Sequence, residues 1–144
     1  MSKLFLCFLI LLGLYNCETY EGVKVYEIVR NVNGVSELSI NVEKGKEFAL
    51  KFRGNPTTGY TWILLNPDEV NFSLLGTNFE SDGIADYVAD SKDELLVGGA
   101  GSFFYKFKAV EVSNEAKVLN FSYRRTWENN NNNQPDAVVK ITVS

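Results

Sequence analysis

Glu47-Phe48-Ala49-Leu50-Lys51-Phe52, followed by Asn55-Pro56-Thr57-Thr58-Gly59-Tyr60 and then Thr61-Trp62-Ile63-Leu64-Leu65, is the stretch on which the fold turns. The first run sets Phe48, Leu50 and Phe52 at a two-residue period, the mark of a half-buried strand. The run from Tyr60 to Leu65 is aromatic and β-branched, and it stops at Asn66-Pro67. Between Phe52 and Gly59 the chain therefore reads as a loop joining two strands. Pro56 locks one φ and Gly59 permits a positive one, while two threonine hydroxyls and several backbone amides are expected to point outward. By composition alone this is also what an ordinary strand connection looks like.

Working outward, strand patterns recur along the chain. Val23 to Val29 is a first strand ending at Asn31 to Gly34. Leu38, Ile40 and Val42 alternate with Ser39 and Asn41, and Lys44-Gly45 closes the run. A short strand is expected around Phe72 to Leu75. A long one runs from Ser102 to Val112, with Phe103, Tyr105, Phe107 and Ala109 on one face. Val118 to Tyr123 puts Leu119, Phe121 and Tyr123 inward, and Ala137 to Val143 is the last strand. About eight strands, no amphipathic helix and turn signals every eight to twelve residues or so predict an all-β, antiparallel β-sandwich.

Composition bounds what this sandwich can do. At 144 residues the chain suits one domain with a substantial core. Its net charge of −4 gives no electrostatic case for a nucleic-acid partner. Met1-Ser2-Lys3 followed by the apolar run Leu4 to Leu14 is too short to span a bilayer and suits a secretory signal. The expected division is a signal peptide at 1–17, cleaved near Asn16 or Cys17, and a domain at 18–144. Tyr15 is a poor small-residue cleavage position, and with Asn16 it argues against a lipidation box at Leu14-Tyr15-Asn16-Cys17. The signal directs the chain to the secretory pathway, to the exterior or to the lumen of lysosome-like or phagosomal vesicles. No stable membrane association is expected after its removal.

Cleavage would also remove both cysteines, Cys7 and Cys17, and the chain has no histidine. Ser–His and Cys–His nucleophilic pairs are thereby excluded, as are zinc sites built on those ligands. Catalysis would have to rest on carboxylates, lysine or tyrosine, and the core must stabilise the domain without disulfides.

Three further stretches carry both a functional and a plain reading, and a fourth only a plain one. Glu80 to Glu94 holds Glu80, Asp82, Asp86, Asp90, Asp93 and Glu94, but their spacing matches no calcium loop, so it reads as a solvated connection. Gly98-Gly99-Ala100-Gly101 precedes a strand, not the helix that phosphate cradles require, and reads as backbone that another chain can approach closely. Trp127, between Arg124-Arg125-Thr126 and Glu128, either folds back to cap the core or anchors a partner. The asparagine run Asn129 to Asn133 is a low-complexity loop insert. Asn71-Phe72-Ser73 and Asn120-Phe121-Ser122 are glycosylation sequons, whereas Pro56 spoils Asn55-Pro56-Thr57.

In order and spacing, Asn55-Pro56-Thr57-Thr58-Gly59-Tyr60, Gly98-Gly99-Ala100-Gly101 and Arg125-Thr126-Trp127 resemble the motifs of the chagasin family of cysteine-protease inhibitors. The first matches in full. In the second, Ala100 stands where glycine is usual. In the third, Thr126 stands where proline is usual, which predicts a less rigid loop. The resemblance covers essentially the whole chain after the signal. It implies an immunoglobulin-like fold whose three motif loops lie side by side at one end and occlude the cleft of papain-like, cathepsin-like proteases. It further implies that Asn55 to Gly59 enters the cleft with Thr57 and Thr58 nearest the catalytic cysteine. Gly98 to Gly101 would then run along the non-primed side, and Trp127 would meet aromatic groups of the primed side. Arg125 either belongs to that surface or steadies its own loop by pairing with Glu128. No cofactor is implied, and the free inhibitor is expected to be a monomer.

Two other classes remain to be weighed. A carboxylate glycosidase needs two acids flanking a cleft, and nothing outside the acidic stretch brings two together. A secreted adhesion or carbohydrate-binding module is the stronger rival, because fold does not fix function. Whether the purified domain slows papain on a peptide substrate separates these readings.

Overall fold

The computed structural model describes residues 18–31, 33–82, 99–128 and 134–144. Two sheets face one another. One contains β1 (Thr19–Tyr20), β2 (Val23–Ile28), β4 (Glu47–Gly54), β7 (Gly101–Ala109) and β6 (Phe72–Ser81), in that spatial order. The other contains β3 (Ser36–Val42), β9 (Ala137–Val143), β8 (Lys117–Arg125) and β5 (Tyr60–Leu64). Between β4 and β5 the chain makes a single turn of 3-10 helix, Pro56–Thr58.

The alternation seen in the sequence is what builds the core. Phe48, Leu50 and Phe52 on β4 are buried with Phe103, Tyr105, Phe107 and Ala109 on β7. From the second sheet Trp62, Leu119, Phe121, Val139, Ile141 and Val143 meet them. Phe52 is the hub, its ring 4.6 Å from both Trp62 and Phe121 and 5.9 Å edge-on from Tyr105. Aromatic pairs in such arrangements add about 0.5–1.5 kcal/mol each to the burial of their area.

Two polar ties cross between the sheets beside this hub. The Trp62 indole N–H donates to the Arg53 carbonyl at 3.1 Å, and the Tyr105 hydroxyl donates to the Trp62 carbonyl. Burial pushes the Tyr105 phenol up to about 12, so it stays a donor. Both ties lie directly below the Asn55–Gly59 loop and fix the spacing of the strands that carry it.

The sandwich differs from the expected one in four respects. Most neighbours are antiparallel, but β2 and β4 run parallel, as do β3 and β9. The chain crosses to the second sheet as β3 and returns as β4, so β2 and β4 point the same way. β1 forms a hairpin with β2 through Glu21-Gly22, both at positive φ, and the Tyr20 ring stacks 4.1 Å from Phe104. With Val23, Val25 and Ala49 this makes a second, smaller core on the outer face of the first sheet.

The strand expected at Phe72 to Leu75 continues to Ser81, taking in the start of the acidic stretch. Its middle, Leu74 to Asn78, is exposed, and it is held by backbone pairing to β7 with one register shift between Leu74 and Gly76. Residues 83–94 of that stretch lie outside the described residues, as do residues 1–17 and with them both cysteines. Among the described residues no group of acidic side chains is arranged to hold a metal ion.

Of the two sequons, Asn71 is 4% exposed, and its amide donates to the carbonyls of Glu111 and Val112. A glycan on that nitrogen is incompatible with this packing.

Candidate functional site

The ends of four strands meet at one end of the sandwich. Gly54, the last residue of β4, pairs with Gly101, the first of β7. Tyr60, the first residue of β5, pairs with Arg125, the last of β8. The three stretches singled out in the sequence are thus brought together, with Asn55–Gly59 in the middle. Gly98 lies outside the described residues. Gly99 and Ala100 lead into β7, and the Ala100 carbonyl accepts from the Asp82 N–H at 3.3 Å.

The central loop is closed on itself. Asn55 is extended (φ −137°, ψ 99°) and caps the short helix by accepting from the Thr57 N–H at 3.1 Å. Pro56, at the first helical position, has no N–H to leave unpaired. Gly59 ends the turn at φ 86°, and its N–H reaches the Pro56 carbonyl at 2.9 Å.

The threonine hydroxyls do not project free, contrary to expectation. Thr57 Oγ1 donates to Asn55 Oδ1 at 2.5 Å, and Thr58 Oγ1 donates to the Asn55 carbonyl at 2.7 Å. A hydroxyl has one proton and two lone pairs, so each oxygen keeps acceptor capacity after donating inward. Threonine types at 57 and 58 announce hydroxyl chemistry, but only the turn geometry shows where the protons go.

Beneath the loop, the Tyr123 hydroxyl accepts from the Asn55 N–H at 2.8 Å. Its ring stacks on Tyr60 at 5.3 Å and lies 5.0 Å from Trp62. Gly54 makes this possible, since a Cβ there would stand 2.8 Å from the Phe103 ring and 3.0 Å from that of Tyr123. Neither Gly54 nor the Tyr123 hydroxyl was marked by the sequence as part of the site, although Tyr123 was read as inward-facing.

The third stretch is bound to the first. Arg125 Nε donates to the Thr58 carbonyl at 2.8 Å, and its guanidinium lies 4.8 Å over the Tyr60 ring. Arg125 Nη1 pairs with Glu128 Oε1 at 2.9 Å. Trp127 is 70% exposed, so it does not cap the core. Its indole lies across Gly59, where a Cβ would stand 2.2 Å from Trp127 Cη2. Thr126 is exposed in the turn between them.

The second stretch is anchored differently. Arg53, next to Gly54, grips Asp82 with both guanidinium nitrogens and also donates to Ser102 Oγ at 2.9 Å. That hydrogen bond, followed by the Coulombic attraction of Arg53, holds the Asp82 carboxyl below its ordinary range despite some desolvation. Gly101 is buried between its neighbours, and a Cβ there would overlap the Glu80 carbonyl and the Phe79 ring.

Among the described residues there is no disulfide, and the sandwich presents at one end two turns locked to each other beside the start of β7, the form of a rigid binding module. The profile of the family described as "Chagasin family peptidase inhibitor I42" matches residues 41–143, and the chain belongs to that family. Its members are inhibitors of peptidases and not enzymes. Amoebiasin-1 of Entamoeba histolytica is 27% identical over 105 residues, spanning 73% of this chain and 89% of the relative. Among solved structures, the cysteine protease inhibitor EhICP2 from Entamoeba histolytica has a TM-score of 0.55 at 16% identity, covering 83% of this chain and 96% of its own. The solution structure of Amebosin has a TM-score of 0.52 at 22% identity, with the same coverage. These two structures share the fold.

Proposed function

We propose that the domain inhibits papain-like cysteine proteases reversibly and without covalent capture, by filling the active-site cleft with the loops at its motif end. The observation that carries this reading is the self-closed loop Asn55–Gly59. Held as a turn of 3-10 helix between a cap and a left-handed glycine, it presents no extended backbone for the protease to align and cut. Thr57 and Thr58 offer acceptor oxygens toward the catalytic cysteine and its neighbouring donors, since their protons are used inward. Gly98 to Gly101 lies along the non-primed side and leaves room for close approach of backbone. Trp127, exposed beside the loop, packs on aromatic groups of the primed side. Preorganisation keeps the ordering entropy of binding small.

The chain reaches such proteases by the secretory route, with 1–17 as its signal peptide and 18–144 as the inhibitor domain. It acts outside the cell or in lysosome-like vesicles, as a monomer when free. The basic start and the apolar run Leu4 to Leu14 support this route.

The purified domain should inhibit papain competitively, and papain with its catalytic cysteine changed to alanine should still bind it. Loss of all binding to that variant, or a covalent adduct by mass spectrometry, would overturn the mechanism.

A further inference from the structure

We propose that Arg125 is a positioning residue: it locks the Asn55–Gly59 loop and the Trp127 loop into one rigid unit and does not itself recognise the protease. The proposal rests on reading these loops as the protease-binding face. It assigns Arg125 a different task from the one its place in a surface motif implies.

Two of the three nitrogens of the Arg125 guanidinium and one of its faces are engaged within the chain, although the side chain is still 37% exposed. Nε is directed at the Thr58 carbonyl, Nη1 at Glu128, and the plane of the group lies over Tyr60. Each contact reaches a different part of the surface. Thr58 is in the central loop, Tyr60 is the foot of that loop on β5, and Glu128 follows Trp127 in the third loop. Arg125 itself ends β8 and pairs with Tyr60 across the sheet. One planar group therefore ties two loops to the same pair of strands.

The tie bears directly on Trp127. With the turn Arg125–Glu128 drawn in by the ion pair, the indole comes to rest on Gly59. The Glu128 N–H bonds to the Arg125 carbonyl at 3.4 Å, which closes the turn from the backbone side. Position 126 carries threonine, so the rigidity that a proline would give must come from elsewhere, and Arg125 supplies it.

Lysine cannot replace this group. An ammonium can pair with Glu128, but it has no Nε–H in a fixed plane to donate to Thr58 while its charge stays over Tyr60. Arg125→Lys should therefore behave like Arg125→Ala and not like the wild type. A residue that met the protease through charge alone would be rescued by lysine.

The test combines a measurement on the free inhibitor with one on the complex. In protein labelled with 5-fluorotryptophan, Trp62 and Trp127 give separate fluorine resonances. In Arg125→Lys the Trp127 resonance should move towards that of solvent-exposed indole, and the Gly59 amide should shift with it. The Trp62 resonance should stay in place, reporting an intact core. Inhibition of papain should weaken roughly tenfold in both Arg125 variants, as expected when ordering must be completed on binding. In the double variant with Trp127→Ala the losses should overlap and fall well short of their product. An unmoved Trp127 resonance overturns the proposal, and so do multiplicative losses or rescue by lysine. The resonances are read without a protease, so they test the lock even if the wild type fails to inhibit, an outcome that would instead overturn the proposed function.

Discussion

The central and third loops of the motif end are held by side chains, whereas the β6–β7 junction beside them, although tied by Arg53 to Asp82 and Ser102, depends on the lack of one at Gly101. On the first side Tyr123, Arg125 and Asn55 direct hydrogen bonds into the loop backbone, and Trp127 covers Gly59. On the second side Gly101 sits where no Cβ fits, so β7 can begin directly against Glu80 and Phe79. The same end of the sandwich is thus shaped in two ways. A lock of exposed side chains can be altered without unfolding the sandwich. A junction formed by close backbone approach cannot.

The largest expected effect follows from that contrast. Gly101→Ala places a methyl group against the Glu80 carbonyl, between two paired strands that have little room to move apart. It should lower the unfolding free energy by about 3 kcal/mol, at the upper end of overpacking costs. Gly59→Ala meets only the Trp127 ring, an exposed side chain that yields at less cost than paired backbone, and should lower it by about 1–2 kcal/mol, mainly through its left-handed φ. Urea melts of the two variants check the order. Equal losses would mean that the junction yields as easily as the lock, and the contrast would fail.

Trp127 sharpens the comparison from the binding side. Its ring is exposed, so Trp127→Ala should change the unfolding free energy by less than about 0.5 kcal/mol, as surface substitutions do. Loss of an interface anchor costs about 2 kcal/mol or more of binding, so inhibition should weaken roughly thirtyfold or more. A variant that unfolds readily, with unchanged affinity in its folded fraction, would return the indole to a structural role.

The parts of this molecule legible from sequence are those set by local period. Phe48, Leu50 and Phe52, or Phe103, Tyr105 and Phe107, declare their shared face by alternation, and burial follows. The loop chemistry of Asn55-Pro56 and Gly59 is equally local, so cap, first helical position and left-handed exit are all visible as residue types. What escaped depends on neighbours distant in the chain. The parallel pairing of β2 with β4 and of β3 with β9 arises from a crossover that no alternation records. The length of β6 is invisible because its exposed middle is specified by β7 and not by its own side chains. The Asn71 sequon suggests a surface site, yet the carbonyls of Glu111 and Val112 draw its amide inside. For Arg125 the choice between partner contact and internal support stayed open, because Thr58 lies 67 residues away.

The smallest expected effect concerns pH, and it separates the two sides once more. The only carboxyl with a resolved shift among the described residues is Asp82, at the glycine junction, and Arg53 depresses it chiefly by hydrogen bonding. A carboxyl depressed in the folded state binds fewer protons there than in the unfolded chain. Its contribution is fully present above the unfolded value, near 4, and is lost as pH falls through the folded value. That loss lies well below the range of secretory and vesicular compartments. Histidine is the side chain whose unperturbed titration falls between pH 5 and 8, and this chain has none. Unfolding free energy should therefore change by less than about 1 kcal/mol between pH 5.5 and 7.5. Below about pH 4 the wild type should lose stability more steeply than Asp82→Asn, which has no charge to neutralise there. Urea melts of both proteins across this range check the two statements together. A slope above pH 5.5 would require a carboxyl with a strongly raised value. The acidic residues of 83–94 would then be the first place to look, and substituting them in turn should abolish the slope.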